Sequence, residues 1–562
     1  PALFGEPDII KMVQMQPGVV SAGEGTSAFF VRGGSADQNL ILLDEAPVYD
    51  PSHFFGLFSV FNADVIKSAD LYKGGIPPQF GGRLSSMLDV RTKDGNSRKF
   101  GGSAAIGLLA SKFMLEGPIA KDKSSFIVSG RRSYIDVLSR LGGEDIPVYF
   151  YDLNAKVNWK PNNNNRFFIA SYSGRDRLSF DDGGIDWGNQ TTTMRWNHLF
   201  NEKLFSNLSV IFSNFDYKVD FDDELQGFEW TASMQELAIK NDMSWFINPR
   251  NQLDFGVHAT YRRFSPGRIE PTGTRSIFTR LQLDRMHALD YALFISNTQT
   301  ISDKLSIDYG LRYSIFQNTG EGTINEYADP QDNINPEVIN ERSYGMFEPI
   351  KTFHNLEPRF MARYILDPES SVKFSYQRMV QYVHLVNNST VPIPFNTWAP
   401  SGPYLDPQKS DQVALGYYRN LQDNMWEISA EIYYKDMRDV TDFADNAQIF
   451  FNEDIATEYR QGTSDSYGLE LMLKKTKGRL TGFATYTLSR TDRTVPGVNM
   501  GNPFPANYDR RHSFSTAVTY QLTDRHTLGG NWLYSTGRPI TLPTGRYQYK
   551  GYQVDYYSDR NG

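Results

Sequence analysis

The sequence predicts a mainly β protein: a transmembrane, antiparallel, up-and-down β-barrel preceded by a small N-terminal α/β domain. Three observations predict it. From about Gly101 onward, amphipathic β-segments recur with a period of two. Short polar turns alternate with long connections between them, as expected of a barrel with unequal ends. And although no stretch approaches 18 consecutive apolar residues, aromatic content reaches 14%, with 32 Tyr and 38 Phe. That composition excludes a transmembrane helix but suits strands that expose only alternate residues to lipid between aromatic girdles.

The N-terminal domain is read from residues 29–93. Short β-type runs at 39–44, 68–71 and 86–92 are separated by Gly33-Gly34, Gly74-Gly75 and Gly81-Gly82. Paired glycines suit turns that need positive φ or close backbone approach. Within the barrel region, residues 253–261, 427–434 and 513–520 alternate large apolar with small or polar side chains, and many runs reach the nine or more residues that a tilted strand needs to cross a bilayer. The short turns fall at 161–165, 201–203, 248–251, 302–304, 367–370, 420–424, 475–478 and 523–525. The long connections fall at 175–191, 220–229, 264–285, 317–353, 379–409, 435–464 and 491–511. Counting from Lys99 yields about 19 strands; because a lipid-exposed barrel leaves no edge unpaired, about 22 are expected for a filled barrel of this size. The sequence is therefore expected to be trimmed at both ends, with domains at 1–98 and 99–562.

Composition also narrows the function. A net charge of −8 argues against non-specific nucleic-acid binding. With no cysteine, a disulfide framework, a thiolate–zinc site and cysteine catalysis are excluded. The eight histidines form no HExxH pair, and no Gly-x-Ser-x-Gly elbow is present. The acidic groups Asp181-Asp182 with Asp186, and Asp220 with Asp222-Asp223-Glu224, lack ordered calcium-loop spacing and read as solvated loops. No metal, no cofactor and no enzymatic activity are expected.

The ordered pieces carry a resemblance. Arg32-Gly33, a strand ending at Asp44, the turn Ala46-Pro47, Tyr72-Lys73-Gly74, Phe80-Gly81-Gly82 and a closing strand into Thr92-Lys93 resemble the plug domain of TonB-dependent outer-membrane receptors. Downstream, Leu115-Glu-Gly-Pro-Ile119, Leu356-Glu-Pro-Arg-Phe360, Ser466-Tyr-Gly-Leu-Glu470, Asn507-Tyr-Asp-Arg-Arg-His512 and Tyr534-Ser-Thr-Gly-Arg-Pro539 are similar to the family's barrel segments. One departure is Asp44-Glu45, where the family usually has Asp-Gly; another is the modest loop length beside the larger glycan importers. The resemblance implies a 22-stranded barrel with the plug inside it, in the outer membrane of a Gram-negative cell. It implies a ligand bound between plug apices and long loops. It also implies a TonB-type energy-coupling partner, reached through a segment upstream of Pro1, that displaces the plug at the expense of the inner-membrane proton-motive force.

Candidate sites follow. Arg32 and Arg83 are expected to form plug–barrel ion pairs with the inward-facing Glu431 and Glu470; the alternative is surface charge of little energetic weight. Ligand contacts are expected from the plug apex, at Tyr49, His53, Phe54 and Phe55, against the alternative that the phenylalanines only pack the plug into the barrel. A second apex at 76–80 is a weaker candidate. Trp187, Trp230 and Trp398 are candidates for stacking on a ligand, with girdle or loop packing as the alternative. The leading function is active import of a scarce solute such as a ferric siderophore, cobalamin-like cofactor, oligosaccharide or peptide. The rival is a plugged barrel serving as a structural or accessory subunit of a larger outer-membrane complex; an outer-membrane enzyme barrel leaves the N-terminal domain unexplained. Beyond outer-membrane lipids, a surface lipoprotein or other outer-membrane subunits are the further partners left open.

Overall fold

The computed structural model describes residues 2–3, 6–23, 26–143, 147–273, 275–386, 397–445, 447–449, 452–550, 552–557 and 560–561. Residues 387–396 of the connection expected over 379–409, and 446, 450 and 451 of that over 435–464, lie outside the described residues.

Alternation builds the large sheet. Along the strand Val148–Trp159, Asp152, Asn154, Lys156 and Asn158 are buried while Tyr151, Leu153, Val157 and Trp159 are exposed. The polar residues point inward and the apolar ones outward, the reverse of a water-soluble sheet and the pattern that lipid demands. Antiparallel neighbours repeat it through a 21-stranded sheet that runs from Gly101–Ile106 to Thr527–Ser535. Two of the 21 are two-residue pieces, Leu281–Gln282 and Phe504–Pro505, which leaves nineteen full strands, the number that the sequence predicts.

The two ends of the sheet differ for local reasons. At the short-turn end, Asn162, Asn201, Asn248 and Asp367 each turn a side-chain oxygen onto the backbone N–H two residues on, at 2.9–3.0 Å. Such Asx turns close a hairpin without glycine. Beside them lies a ladder of rings, Trp159–Phe167–Trp196–His198–Phe200, with successive centroids 4.5–5.9 Å apart. Amphipathic rings at this height match an interfacial girdle.

At the other end the structure corrects the sequence reading. Residues 175–191 are not a loop, since strands run to Phe180 and resume at Gly183; of 220–229 only residues 222–227 lie outside strands, which run to Phe221 and resume at Phe228. The strands Phe228–Asn248 and Asn251–Pro271 have 21 residues each. At about 3.3 Å per residue they reach roughly 70 Å, well beyond the ~30 Å hydrocarbon core. Cross-strand pairing persists outside the membrane because the period of two does.

Leu153 lies six residues from the girdle tryptophan Trp159 on the lipid face, about 14 Å along the membrane normal for a strand tilted about 45°. That is close to the midplane. Leu153→Arg is expected to destabilise the folded barrel by about 2–4 kcal/mol, read as a shift in the denaturant midpoint of refolding into lipid vesicles. A midpoint unchanged from wild type would contradict the outward, lipid-facing placement of this strand face.

Inside the large sheet sits a four-stranded sheet. Asn39–Leu43 pairs in parallel with Ser86–Thr92, which pairs antiparallel with Ile66–Tyr72; Ala46–Pro47 edges the first. Ile10, Val31, Ile41, Leu88 and Val90 pack its core, and Tyr172 of the barrel wall joins them. In each glycine pair one member has positive φ: Gly33 at 70°, Gly75 at 61° and Gly82 at 81°. Gly33 has a second constraint, since a Cβ there would stand 2.1 Å from Ser466 Oγ on the wall. Close approach as well as conformation demands glycine at this turn.

Candidate functional site: a mouth cavity above a polar-docked plug

The inner domain is held to the wall by charge. Glu431 and Glu470 lie directly opposite each other on neighbouring strands Trp426–Phe443 and Tyr459–Lys475, both turned inward. Two like charges at opposed positions repel, and Arg32 sits between them. Its Nε donates to Glu470 Oε1 at 2.7 Å, its Nη2 reaches Glu470 Oε2 at 3.1 Å and also bonds Glu431. Lys73 Nζ adds a 2.5 Å contact to Glu470. Burial alone lowers the Arg32 pKa, but the Glu470 and Glu431 carboxylates hold it above the usual arginine range.

A second cluster fixes the apex. His53, 1% exposed, lies with Nδ1 2.6 Å from Asp176 and Nε2 2.7 Å from Asp152. Asp152 also accepts from Arg131 Nε at 2.6 Å and Tyr172 Oη at 2.7 Å. Phe54 and Phe55, both at positive φ (50° and 56°), follow directly. The Phe54 N–H donates to Asp176, its ring meets Phe150 edge-on at 5.0 Å, and the Phe55 ring lies 5.2 Å from Trp187. His53 and Phe54 are therefore docked against the wall, the inward carboxylates of two strands drawing the imidazole down, while Phe55 touches Trp187 and stays 36% exposed. The second apex is docked too: Arg359 Nη1 donates to the carbonyls of Ile76, Pro77 and Phe80, and Arg312 to those of Pro78 and Gln79.

Asp44-Glu45 explains its own departure from Asp-Gly. Both residues have positive φ, 45° and 78°, in the tight turn between Asn39–Leu43 and Ala46–Pro47. Outside glycine such a backbone costs of order 1 kcal/mol. Here Glu45 gains Arg91 at 3.1 Å, Arg195 at 2.6 Å and Ser209 Oγ at 2.7 Å, the last two from the wall. Burial raises the Glu45 carboxyl, but those arginines outweigh it and bring its pKa down to about 2.

Above this docked surface lies a cavity of about 890 Å³, open toward the long connections. One wall is residues 27–30, 35–41 and 47–52 of the inner domain; the other includes Trp398, Phe443, Arg493, Tyr508 and Arg560. Of the ligand-contact residues named from sequence, Tyr49 and Trp398 line it. Trp187 and Trp230 do not: they lie on inward faces of the extended strands and are buried in an apolar cluster with Tyr217, Phe264 and Trp398. They point inward because the strands continue where loops were expected. Tyr49 donates to Glu236 at 2.7 Å and meets the Trp398 ring edge-on at 5.3 Å.

Arg83 also differs from expectation. Glu431 and Glu470 are occupied by Arg32 and Lys73, and no carboxylate among the described residues lies within 4 Å of Arg83. Its Nη1 donates to the Val383 carbonyl at 3.1 Å, and its guanidinium lies 5.0 Å from the Trp398 ring centroid, facing the cavity. The cavity residues that sequence reasoning missed, Asp442, Arg493, Tyr508 and Arg560, sit on segments far apart in the chain. Asp442 takes Arg493 at 3.0 Å and Arg560 at 2.7 Å. Among the described residues no cluster of three or more acidic or histidine side chains is arranged to hold a metal ion.

Two family models match the chain. Residues 4–86 match the family model described as TonB-dependent receptor plug domain, and residues 134–561 match that described as TonB-dependent receptor-like β-barrel. The FrpB iron transporter from Neisseria meningitidis is similar in structure, with TM-score 0.69 and 12% identity over 95% of this chain and 85% of that one. The alcaligin outer-membrane receptor FauA from Bordetella pertussis has TM-score 0.65 and 14% identity over 94% and 84%. The ferric-catecholate import receptor Fiu from E. coli K12 has TM-score 0.65 and 15% identity over 95% and 85%. At these identities the likeness concerns the fold. No curated protein matches the chain in sequence.

Proposed function

The chain belongs to the TonB-dependent receptors, plugged β-barrels of the outer membrane that transport rather than transform, and from that premise we propose that it captures a scarce solute in the mouth cavity and imports it to the periplasm. A TonB-type partner drawing on the inner-membrane proton-motive force would displace the plug. One observation carries the reading: beneath an 890 Å³ cavity, ion pairs and hydrogen bonds join the plug to the wall, and the apolar contacts between them fall in separate patches, such as Ala46 on Ile211 and Ala238 or Ile76 on Met379. Polar contacts can exchange partners with water as the plug moves, whereas a dry apolar interface would have to be opened against the full hydrophobic cost. The named cargoes of the structural neighbours make ferric siderophores the first solutes to supply.

The test compares cells with and without the gene in one complex medium and follows depletion of solutes by mass spectrometry. Import predicts at least one solute depleted only by the expressing cells, with depletion abolished by a protonophore and by loss of the TonB-type partner. No such solute, together with stoichiometric co-purification of other outer-membrane proteins, would replace import with the role of an assembly subunit.

A further inference from the structure

Arg83 breaks the charge pattern of the interface. Among buried arginines in contact across plug and wall, Arg32, Arg131, Arg312 and Arg359 each have a carboxylate within 4 Å, whereas Arg460, buried among the connections, bonds only backbone carbonyls among the described residues. Arg83, 8% exposed, has no such carboxylate among the described residues. Both of its hydrogen bonds, to the carbonyls of Gly82 and Val383, leave from Nη1. The Nε–Nη2 edge, which grips a carboxylate with two parallel bonds, has no partner among the described residues. A second donor is idle: the buried Trp398 Nε1–H has no acceptor among the described residues. Two donors without partners among the described residues, one of them charged, thus belong to stacked side chains, Arg83 and Trp398, that line a cavity also presenting Tyr49, Phe443, Phe504 and Tyr508.

A second observation points the same way. Behind Arg83, between plug and wall, is a smaller cavity of about 70 Å³ that shares Leu40, Pro47, Tyr49 and Arg83 with the large one. Its charged lining is Arg83, Lys240, Arg262 and Arg312 against Glu236 and Asp290, with His258 beside them. Glu236 and Asp290 are both taken by Arg262, at 2.7 and 2.9 Å. Lys240, like Arg83, has no carboxylate within 4 Å among the described residues. The space just past Arg83 is thus walled by excess positive charge, which favours anions in a water-poor passage. The two acids on the plug side of the large cavity are engaged: Asp37 accepts from Ser35 and Gln381, and Asp50 from Ser52.

We propose that the mouth cavity is an organic-anion site, in which Arg83 and the Trp398 N–H bind an oxyanion head while the aromatic wall holds an apolar body, and that the cationic cavity behind Arg83 is the anion's next station when the plug moves. Carboxylate and phosphate heads share this chemistry. The proposal rests on the receptor reading of the same cavity but concerns binding, so it is tested on purified protein in lipid nanodiscs, without energy coupling.

Three probes with one apolar body separate charge from hydrophobicity: 2-naphthoate, 2-naphthyl phosphate and 2-naphthylmethylammonium, titrated by calorimetry. The two anions are expected to bind at least tenfold more tightly than the ammonium. Arg83→Gln should abolish that preference, Arg83→Lys should keep part of it, and Trp398→Phe should weaken the anions several-fold while leaving the ammonium unchanged. Retention of the heat-resistant barrel on gels and of plug protection from protease verifies each variant's fold. Tighter naphthoate than naphthyl phosphate assigns a carboxylate head, and the reverse order a phosphate. Equal binding of anions and ammonium, absence of anion binding at millimolar probe, or an Arg83→Gln protein that folds and keeps the preference would each overturn the proposal. Failure of import with this preference intact would instead strike the transport reading alone.

Discussion

Glu470→Ala is expected to weaken the plug's hold on the barrel by about 3–5 kcal/mol, because it leaves buried cations without their main counter-charge. In the native protein Glu470 is 2% exposed and takes both Arg32 and Lys73. Its removal leaves those two cations near each other with only Glu431, whose side chain is 19% exposed. The damage should be confined to the plug, since the strand Tyr459–Lys475 keeps its ladder to both neighbours. Protease digestion against urea measures this: the variant's plug should become cleavable at lower urea while the barrel remains heat-resistant. Disrupting the Arg98–Asp122 pair, with side chains 76% and 54% exposed, supplies the contrast and should change nothing measurable. A Glu470→Ala plug released at the wild-type urea concentration would show that the cluster orients the plug without holding it.

The same cluster shows how much of this site was legible. Period-two alternation assigns Glu431 and Glu470 to the inward face, and the family resemblance pairs them with Arg32; the structure brings the three together. Alternation gives a face, not a neighbour. It could not reveal that Asp152 and Asp176, on two different strands, converge on His53, nor that Arg83 finds the Glu431–Glu470 pair already filled. Those facts depend on register and on the rotation of the plug inside the wall, which are properties of the assembled structure. Trp187 and Trp230 lie away from the cavity for another reason. The polar runs Asp181-Asp182 and 222–227 look like parts of wide loops in sequence, yet they are two- and six-residue tips of strands that continue far beyond the bilayer. The turns at the other end were legible because an Asx turn is written in one residue and needs no distant partner.

Raising the pH from about 7 to 10 is expected to loosen the apex in a way that depends on His53. Burial opposes a charged imidazole, but Asp152 and Asp176 more than compensate and bring the His53 pKa up to about 10, against about 6.5 for a free side chain. A pKa raised on folding means that the charged form stabilises the docked state. The contribution is fully present below about pH 6.5 and is lost as the pH climbs through 10. Arg131 remains charged throughout and keeps part of the Asp152 charge balanced. Asp50, which burial pushes up to about 6, completes its own titration below this window. Lys73 cannot imitate the effect: burial lowers its pKa against the pull of Glu470, so deprotonation at high pH favours the docked plug. His53→Gln should therefore show two changes together: a plug weakened by roughly 3–5 kcal/mol at pH 7, and an alkaline loss much smaller than that of wild type. Protease protection of the plug at pH 7 and pH 10, in both proteins, reads each. If both proteins lose the plug in parallel as the pH rises, the alkaline step belongs to a group other than His53, and its bridge between the two carboxylates is not what ties the apex to the wall.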